Sequence, residues 1–311
     1  MNITVIGGSG FIGRSLCQFL VQEGHQVTVL SRNPEKARTR LGASIPVIKW
    51  NPLPLGTLEK VFADTDAIIN LAGEPIADAR WTKNRKGVLH DSRVGTTRLV
   101  VNALSNISKR PRVLMNASGI GFYGPQELTS VTEQTGPGIG FLAELCVDWE
   151  QEARRAEEYG VRVVQLRMGM VLAGDGGALP RMLLPFRLFI GGPIAPGHQK
   201  VSWIHVQDLM ALIKVALVDE TIHGAINAVS PYPVTMREFC QTLGHVLGRP
   251  SWLPVPALAL RLGLGELATL MTTGQHVEPL VAQRLGFQFT YPTLESALQS
   301  IVKQRPRTEP R

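Results

Sequence analysis

The chain has 311 residues, 44% of them hydrophobic and 18% charged, which is enough apolar material for a full-sized core and argues against a disordered protein. Part of its net charge of +7 sits at the C-terminus, where Lys303, Arg305, Arg307 and Arg311 stand against Glu309. The remaining excess is modest and would serve an anionic cofactor, and no basic motif with interleaved aromatics points to nucleic acid.

The first element is a short apolar strand, Ile3-Thr4-Val5-Ile6. Leu16, Phe19, Leu20 and Val21 follow at helical spacing. Between them lies Gly7-Gly8-Ser9-Gly10-Phe11-Ile12-Gly13, and strand, glycine turn and helix together are the context of a phosphate-binding turn. Gly7 would allow the sharp exit from the strand, Gly10 would leave room for a pyrophosphate, and Gly13 would let the helix pack close to the sheet. Ser9, Phe11 and Ile12 complete the turn, whose free helix N–H groups would face the phosphates. The alternative is a plain turn, since turns use glycine freely.

A second strand is expected over His25–Leu30, ending at Ser31-Arg32. An acidic residue here would hold the ribose 2′-OH of NAD, but none occurs from Gln26 to Pro34. Arg32 would instead face a 2′-phosphate with Ser31 beside it, which favours NADP(H). Its alternative is a solvated loop charge like Lys36, Arg38 and Arg40. Further on, the pattern predicts a weak strand at Val47-Ile48, a helix over Leu58–Phe62, a strand over Ala67–Leu71 and one long helix over Val88–Leu104. A strand at Val113–Met115, a helix over Phe141–Tyr159 and a strand over Val161–Leu166 follow.

This repeated spacing implies an α/β fold, a Rossmann-type doubly wound parallel sheet. Gly7, Arg32, Ala72, Ser118 and Gly169 follow the predicted strands and are expected to converge on one crevice. Gly and Pro are dense from Gly174 to Gly197, which argues for loops around a site. Val201–Ile204 reads as a strand and Asp208–Leu217 as a helix. Helices are expected over Ala257–Met271, Glu278–Leu285 and Leu294–Val302. The expected domains are a dinucleotide-binding part over 1–249, with substrate-side loops near 174–200, a smaller, mainly helical C-terminal domain over 250–303, and a flexible tail over 304–311.

Several ordered pieces resemble the extended short-chain dehydrogenases/reductases, the NAD-dependent epimerase/dehydratase family. They are Asn70-Leu71-Ala72-Gly73-Glu74-Pro75, Arg80-Trp81, Ser92-Arg93-Val94, Arg167-Met168-Gly169-Met170-Val171-Leu172 and Ser202-Trp203-Ile204-His205-Val206. Gly274-Gln275, Gly286-Phe287-Gln288-Phe289 and Tyr291-Pro292 extend the likeness to nearly the whole chain. It is most similar to an atypical epimerase-like subfamily with a helical C-terminal domain, some of whose members carry a cell-division-inhibitor label. The resemblance implies that Ser31 and Arg32 meet the 2′-phosphate, Leu71, Ala72 and Gly73 run along the dinucleotide, Arg93 stands near its phosphates or ribose, and Val171 lies beside the nicotinamide. Core packing is the alternative for Leu71, Ala72 and Val171, and a solvent charge for Arg93.

Catalytic members of that superfamily use a Tyr-x-x-x-Lys pair, in which the Lys lowers the phenol pKa. Four residues after Tyr123, Tyr159, Tyr232 and Tyr291 stand Glu127, Val163, Met236 and Glu295, so no such pair exists. The expected place holds Phe141 and Leu145, neither of which carries a proton. Ser118 matches the superfamily serine that polarises a substrate oxygen. Tyr123 is the substitute acid/base by elimination, with pocket wall as its alternative. Glu74, Trp203 and His205 are candidate substrate contacts, although a structural histidine is the commoner case. A Ser hydrolase is discounted because no Gly-x-Ser-x-Gly elbow occurs.

Cys17, Cys146 and Cys240 are far apart and form no CxxC, so idle thiols in a reducing compartment and no metal site are expected. No basic segment precedes the first apolar run, and Val255–Met271 is short and interrupted by Arg261 and Glu266. A cytoplasmic protein without membrane or nucleic-acid partners is expected; its oligomeric state is not legible. The expected function is an NADP(H)-binding oxidoreductase or epimerase-like enzyme acting on a small molecule. The alternative is a catalytically inactive NADP(H)-binding regulatory or interaction protein.

Overall fold

Strand and helix alternate from the first residues of the computed structural model, which describes residues 1–50 and 56–304. The chain runs β1 (Asn2–Ile6), α1 (Phe11–Gln22), β2 (Gln26–Ser31), α2 (Pro34–Leu41), β3 (Val47–Lys49), α3 (Gly56–Ala63), β4 (Ala67–Asn70), α4 (Lys83–His90), α5 (Thr96–Ser105) and β5 (Val113–Gly119). It continues through β6 (Gln126–Val131), α6 (Phe141–Arg154), β7 (Arg162–Met168), β8 (Met170–Leu172), α7 (Leu179–Arg187), β9 (Lys200–Val201), β10 (Trp203–His205), α8 (Val206–Val218) and β11 (Gly224–Ala228). The last elements are β12 (Val234–Thr235), α9 (Met236–Leu247), α10 (Ala257–Leu264), α11 (Thr269–Thr272), β13 (Gln275–Val277), α12 (Leu280–Arg284) and α13 (Leu294–Gln304).

Seven strands form one parallel sheet in the order β11-β7-β5-β4-β1-β2-β3. The order reverses between β1 and β4, and such a switch point opens a crevice at the carboxyl ends of the strands. Alternate side chains serve opposite faces. Ile3, Val5, Val27 and Val29 pack with Leu16 and Leu20 of α1 and Leu209 and Ile213 of α8. Ile6, Leu30, Ile68 and Leu114 pack with Leu58 and Phe62 of α3 and Val100 and Leu104 of α5. Each such side chain contributes about 1.5–3 kcal/mol on full burial, so the doubly covered sheet is a rigid base for the crevice.

Three expected elements are interrupted, two of them at a buried polar group and one at a glycine. The helix expected over Val88–Leu104 divides into α4 and α5 around a π-turn, Asp91–Gly95, in which Arg93 and Val94 are buried. A π-turn inserts an extra residue into the helical repeat, and Arg93 thereby turns inward. The strand expected over Val201–Ile204 divides at Ser202, whose hydroxyl donates to the Gln275 carbonyl and accepts the Val277 N–H of β13. The helix expected over Ala257–Met271 breaks at Gly265, which has φ +63°. Inside the expected loop region, α7 forms because Leu179, Leu183 and Phe186 repeat at helical spacing and all three are buried.

Buried side chains of the described C-terminal residues join clusters of the larger part. Ala282 joins the α1–α8 side of the sheet, while Leu267 packs with Trp81 and Trp149 and Val277 with Phe122 and Tyr123. Leu294, Ala297, Leu298 and Ile301 of α13 join Leu183, Trp203 and Phe239. Residues from 250 onward are therefore knitted into the larger part at several points. Of the tail expected over 304–311, Gln304 closes α13 and the rest lies outside the described residues. Among the described residues no helix is long and apolar enough to cross a membrane.

Candidate functional site

The glycine turn leaves β1 at Gly7, whose φ is +80°. A Cβ there would stand 2.7 Å from the Leu71 carbonyl oxygen, so only glycine lets β1 and β4 approach this closely. A Cβ on Gly13 would stand 2.4 Å from the Gly7 carbonyl and 2.6 Å from the Gly8 Cα, which makes it a packing glycine. Gly10 differs: a Cβ would meet only the Gly7 carbonyl, at 3.2 Å, so the space beyond it is open. Gly10 is also the N-cap of α1, with no side-chain cap. The first amides of a twelve-residue helix thus face the crevice uncapped, a setting that suits an anion. Phe11 packs under the loop after β8, where a Cβ on Gly176 would stand 2.2 Å from its ring. The carbonyl of the buried Val171 lies in the same contact, 3.2 Å from where a Cβ on Gly177 would be. Ile12 is half-buried against the core, and the Ser9 carbonyl accepts a bond from Arg40.

The opposite wall is the segment after β4. Asn70 is fully buried and donates to Asn116 and Thr97, while its side-chain oxygen accepts the Ala72 N–H. That bond sets the path of Leu71 and Ala72 past the glycine turn. Arg93 is buried directly under Gly73, where a Cβ would stand 3.0 Å from the guanidinium carbon. It donates to the carbonyls of Glu74 and Leu89, and burial lowers its pKa. Arg93 therefore shapes the crevice wall from behind. Arg32, at the end of β2, is 73% exposed and bonds the Glu74 carboxylate at 2.9 Å. Ser31 turns its hydroxyl onto the Asn33 carbonyl. The crevice thus combines room at Gly10, an uncapped helix start and an exposed guanidinium, and these features fit a phosphate-bearing dinucleotide.

The expected catalytic residues are arranged differently. Ser118 lies within β5, buried, and its hydroxyl donates to Glu150 of α6 at 2.7 Å. Glu150 also accepts two bonds from Arg167 of β7, both at 2.8 Å. Arg167 donates to the Tyr123 hydroxyl at 2.9 Å, and Tyr123 donates to Asn227 at 2.7 Å. Arg167 also lies 3.4 Å from the Phe122 ring centroid. The Ser118 donor is thus taken by a carboxylate, and Tyr123 is 0% exposed. Burial raises the Tyr123 pKa against the opposing pull of Arg167, so the phenol stays protonated. Both hydroxyls are thus engaged with the buried carboxylate, guanidinium and amide around them, as buried polar groups require. Phe141 begins α6 edge-on to Trp81 at 5.2 Å. Lys86 stands over the Phe141 ring at 4.9 Å and is paired with Glu266.

Trp203 and His205 are both buried in the interior. Trp203 is 0% exposed between α7 and α9. His205 caps α8 by accepting the Gln207 N–H, contacts Ser300 with its other nitrogen and lies 4.0 Å from the Tyr291 ring centroid. Burial lowers its pKa to about 4. Among the described residues, no three His, Cys, Asp or Glu side chains are placed to hold a metal, and the three cysteines are buried thiols.

Residues 3–228 match the family model described as NAD dependent epimerase/dehydratase family. The chain belongs to the NAD-dependent epimerase/dehydratase family. Residues 255–301 match a second model, for a domain of unknown function. The chain is 41% identical to the epimerase family protein SDR39U1 homolog, chloroplastic, of Arabidopsis thaliana, over 97% of this chain and 87% of that one. It is 38% identical to the epimerase family protein YfhF of Bacillus subtilis, over 98% and 99%. The human epimerase family protein SDR39U1, isoform 2, solved with NADPH, superposes with a TM-score of 0.89 at 34% identity, covering 98% of this chain and all of that one.

Within this epimerase-family fold, Gly7, Gly10, Phe11, Leu71, Ala72, Gly73, Glu74 and Arg32 are brought around one crevice, with Arg93 behind it. Glu150 and Asn227 escaped the sequence reading, and Arg167 entered it only as the start of the family-like run to Leu172. Their one local signal is Glu150, a carboxylate among the buried Leu145, Cys146, Trp149 and Ala153 on one face of α6. A carboxylate in such a stripe calls for a cationic partner, but only the sheet shows that Arg167 supplies it.

Proposed function

We propose that the protein is an NADP(H)-dependent oxidoreductase of the epimerase family that acts on a small molecule and draws its proton from water. The cofactor assignment rests on the open space at Gly10 beside the uncapped α1 and the exposed Arg32, and on the NADPH bound by the human relative. When bound, the nicotinamide would supply or accept a hydride. The glycine turn would hold the pyrophosphate, and Arg32 the 2′-phosphate once it yields its bond to Glu74. The observation that carries the water-derived proton is the occupation of Ser118 by Glu150 and of Tyr123 by Asn227, with Phe141 at the place where the family resemblance expects a phenol. The test is a screen of carbonyl compounds for NADPH oxidation, followed by Tyr123→Phe. Turnover that survives this substitution supports the reading. Turnover abolished while NADPH binding and circular dichroism are unchanged makes Tyr123 the donor and defeats it.

The same commitment of Ser118 also favours a second reading, an NADP(H)-binding regulatory protein without turnover. That reading prevails if NADPH binds and no compound in the screen oxidises it.

A further inference from the structure

Two neighbouring segments of the surface are apolar and exposed, and the charged residues they carry themselves are all cations. The end of α7 presents Leu188, Phe189 and Ile190 to solvent. The stretch before α10 is hydrogen-bonded to it: the Trp252 and Leu253 N–H groups both reach the Gly191 carbonyl, and the Trp252 indole donates to the Phe189 carbonyl. Trp252 is 62% exposed. From there the chain enters α10, a leucine-rich helix with no buried residue, where Leu258 and Leu262 are 69% and 73% exposed. Leu258 and Leu262 are one helical turn apart and share a side. Phe189 has φ +63°, unusual for a bulky side chain, and yet its ring points outward under Arg249 at 4.4 Å.

The segments that form this face carry charge of one sign. Residues 179–192 and 249–265 contain four arginines and no Asp or Glu. Arg181 is paired with Asp78, whereas Arg187 and Arg261 are exposed and Arg249 lies on Phe189. Glu266, next in the chain, is paired with Lys86. A two-fold contact between copies of the chain through this face would gather the arginines of both copies in one interface, with no acidic residue from these segments to pair them. An anionic surface would satisfy them, with apolar side chains inserted and arginine stems reaching up to phosphate.

We propose that this face docks the protein on an anionic lipid membrane, with Leu258, Leu262 and Trp252 in the interfacial layer and Arg187, Arg249 and Arg261 on lipid phosphates. Arg80 donates to the carbonyls of Leu262 and Gly263 and so ties the end of α10 to the segment after β4. Docking would therefore set the crevice wall that carries Glu74 beside the lipid surface. The proposal is independent of the proton source and of turnover.

The full chain is to be sedimented with phosphatidylcholine vesicles and with mixed phosphatidylcholine–phosphatidylglycerol vesicles, with Trp emission recorded in parallel. The expected result is binding to the mixed vesicles, weakened by salt, with a blue shift of the emission. The double variant Leu258→Glu/Leu262→Glu is expected to bind at least about tenfold more weakly, while its NADPH binding and circular dichroism match the parent. Absence of vesicle binding overturns the proposal, as does equal binding to both vesicle types or unchanged binding by the double variant. A concentration-dependent dimer that the same double variant makes monomeric, without vesicle binding, would assign the face to a second copy and overturn it too.

Discussion

Removing Glu150 tests whether the expected catalytic serine belongs to a buried structural network. In Glu150→Ala, Arg167 loses two bonds of 2.8 Å and Ser118 loses its acceptor at 2.7 Å. The guanidinium side chain, only 6% exposed, keeps just the Tyr123 hydroxyl and the Phe122 ring. Breaking one side of a buried ion pair costs about 3–5 kcal/mol, because the other charge stays buried without compensation. Glu152, two residues on, is a control, since its partners Arg98 and Arg155 are 55% and 40% exposed. The Glu152 side chain is itself only 9% exposed, but its removal leaves two guanidiniums that reach solvent, so Glu152→Ala is expected to cost less than Glu150→Ala. Urea unfolding followed by circular dichroism measures both. A second arm replaces the whole pair, Glu150→Leu/Arg167→Met, and is expected to regain part of the loss because no buried charge remains. Equal costs for Glu150→Ala and Glu152→Ala, or a double variant no more stable than Glu150→Ala, would refute the reasoning.

Gly10→Val is expected to fold and to lose dinucleotide binding, because its Cβ meets only one oxygen of the turn at 3.2 Å. Gly13→Ala is expected to unfold at lower urea, since its Cβ would stand 2.4 Å from the Gly7 carbonyl. Fluorescence titration with NADPH and circular dichroism separate the two, and normal NADPH binding by a folded Gly10→Val would count against the phosphate site. Arg32→Ala is expected to weaken NADPH by about 1–2 kcal/mol, the value of a charged hydrogen bond less the exposed Glu74 pair that must yield, and to leave NADH unchanged. Glu74→Gln is expected to tighten NADPH, and the same titrations read both changes. The His205 pKa of about 4 in the fold, against about 6.5 unfolded, means that the fold favours the neutral ring. Its contribution is complete above about pH 6.5 and falls by about 2 kcal/mol between pH 7 and pH 5 as the unfolded chain takes up the proton first. His205→Asn retains a capping side chain and is expected to remove that part of the pH dependence in urea titrations at the two pH values.

What the sequence determined by itself is what local spacing controls. Ile3–Ile6, the glycine turn and Leu16–Leu20 specify strand, turn and helix within twenty residues, because chirality, periodicity and the freedom of glycine all act at short range. The alternation of strand and helix then leaves a parallel sheet as the arrangement that buries both faces. The absence of a Tyr-x-x-x-Lys pair is also a fact of sequence alone. What only the tertiary structure decided is where long-range polar partners meet. Ser118, Tyr123, Glu150, Arg167 and Asn227 come from five separate elements, and their hydrogen bonds span up to 104 residues. The same holds for Arg93 under Gly73, for the split of Val201–Ile204 by Ser202 against β13, and for His205 between α8 and Tyr291. A buried charge or hydroxyl must find a partner wherever packing places one, and packing joins residues that periodicity cannot pair. Ser118 and Tyr123 therefore read as lone hydroxyls along the chain, and the sheet alone shows that Glu150, Arg167 and Asn227 stand beside them.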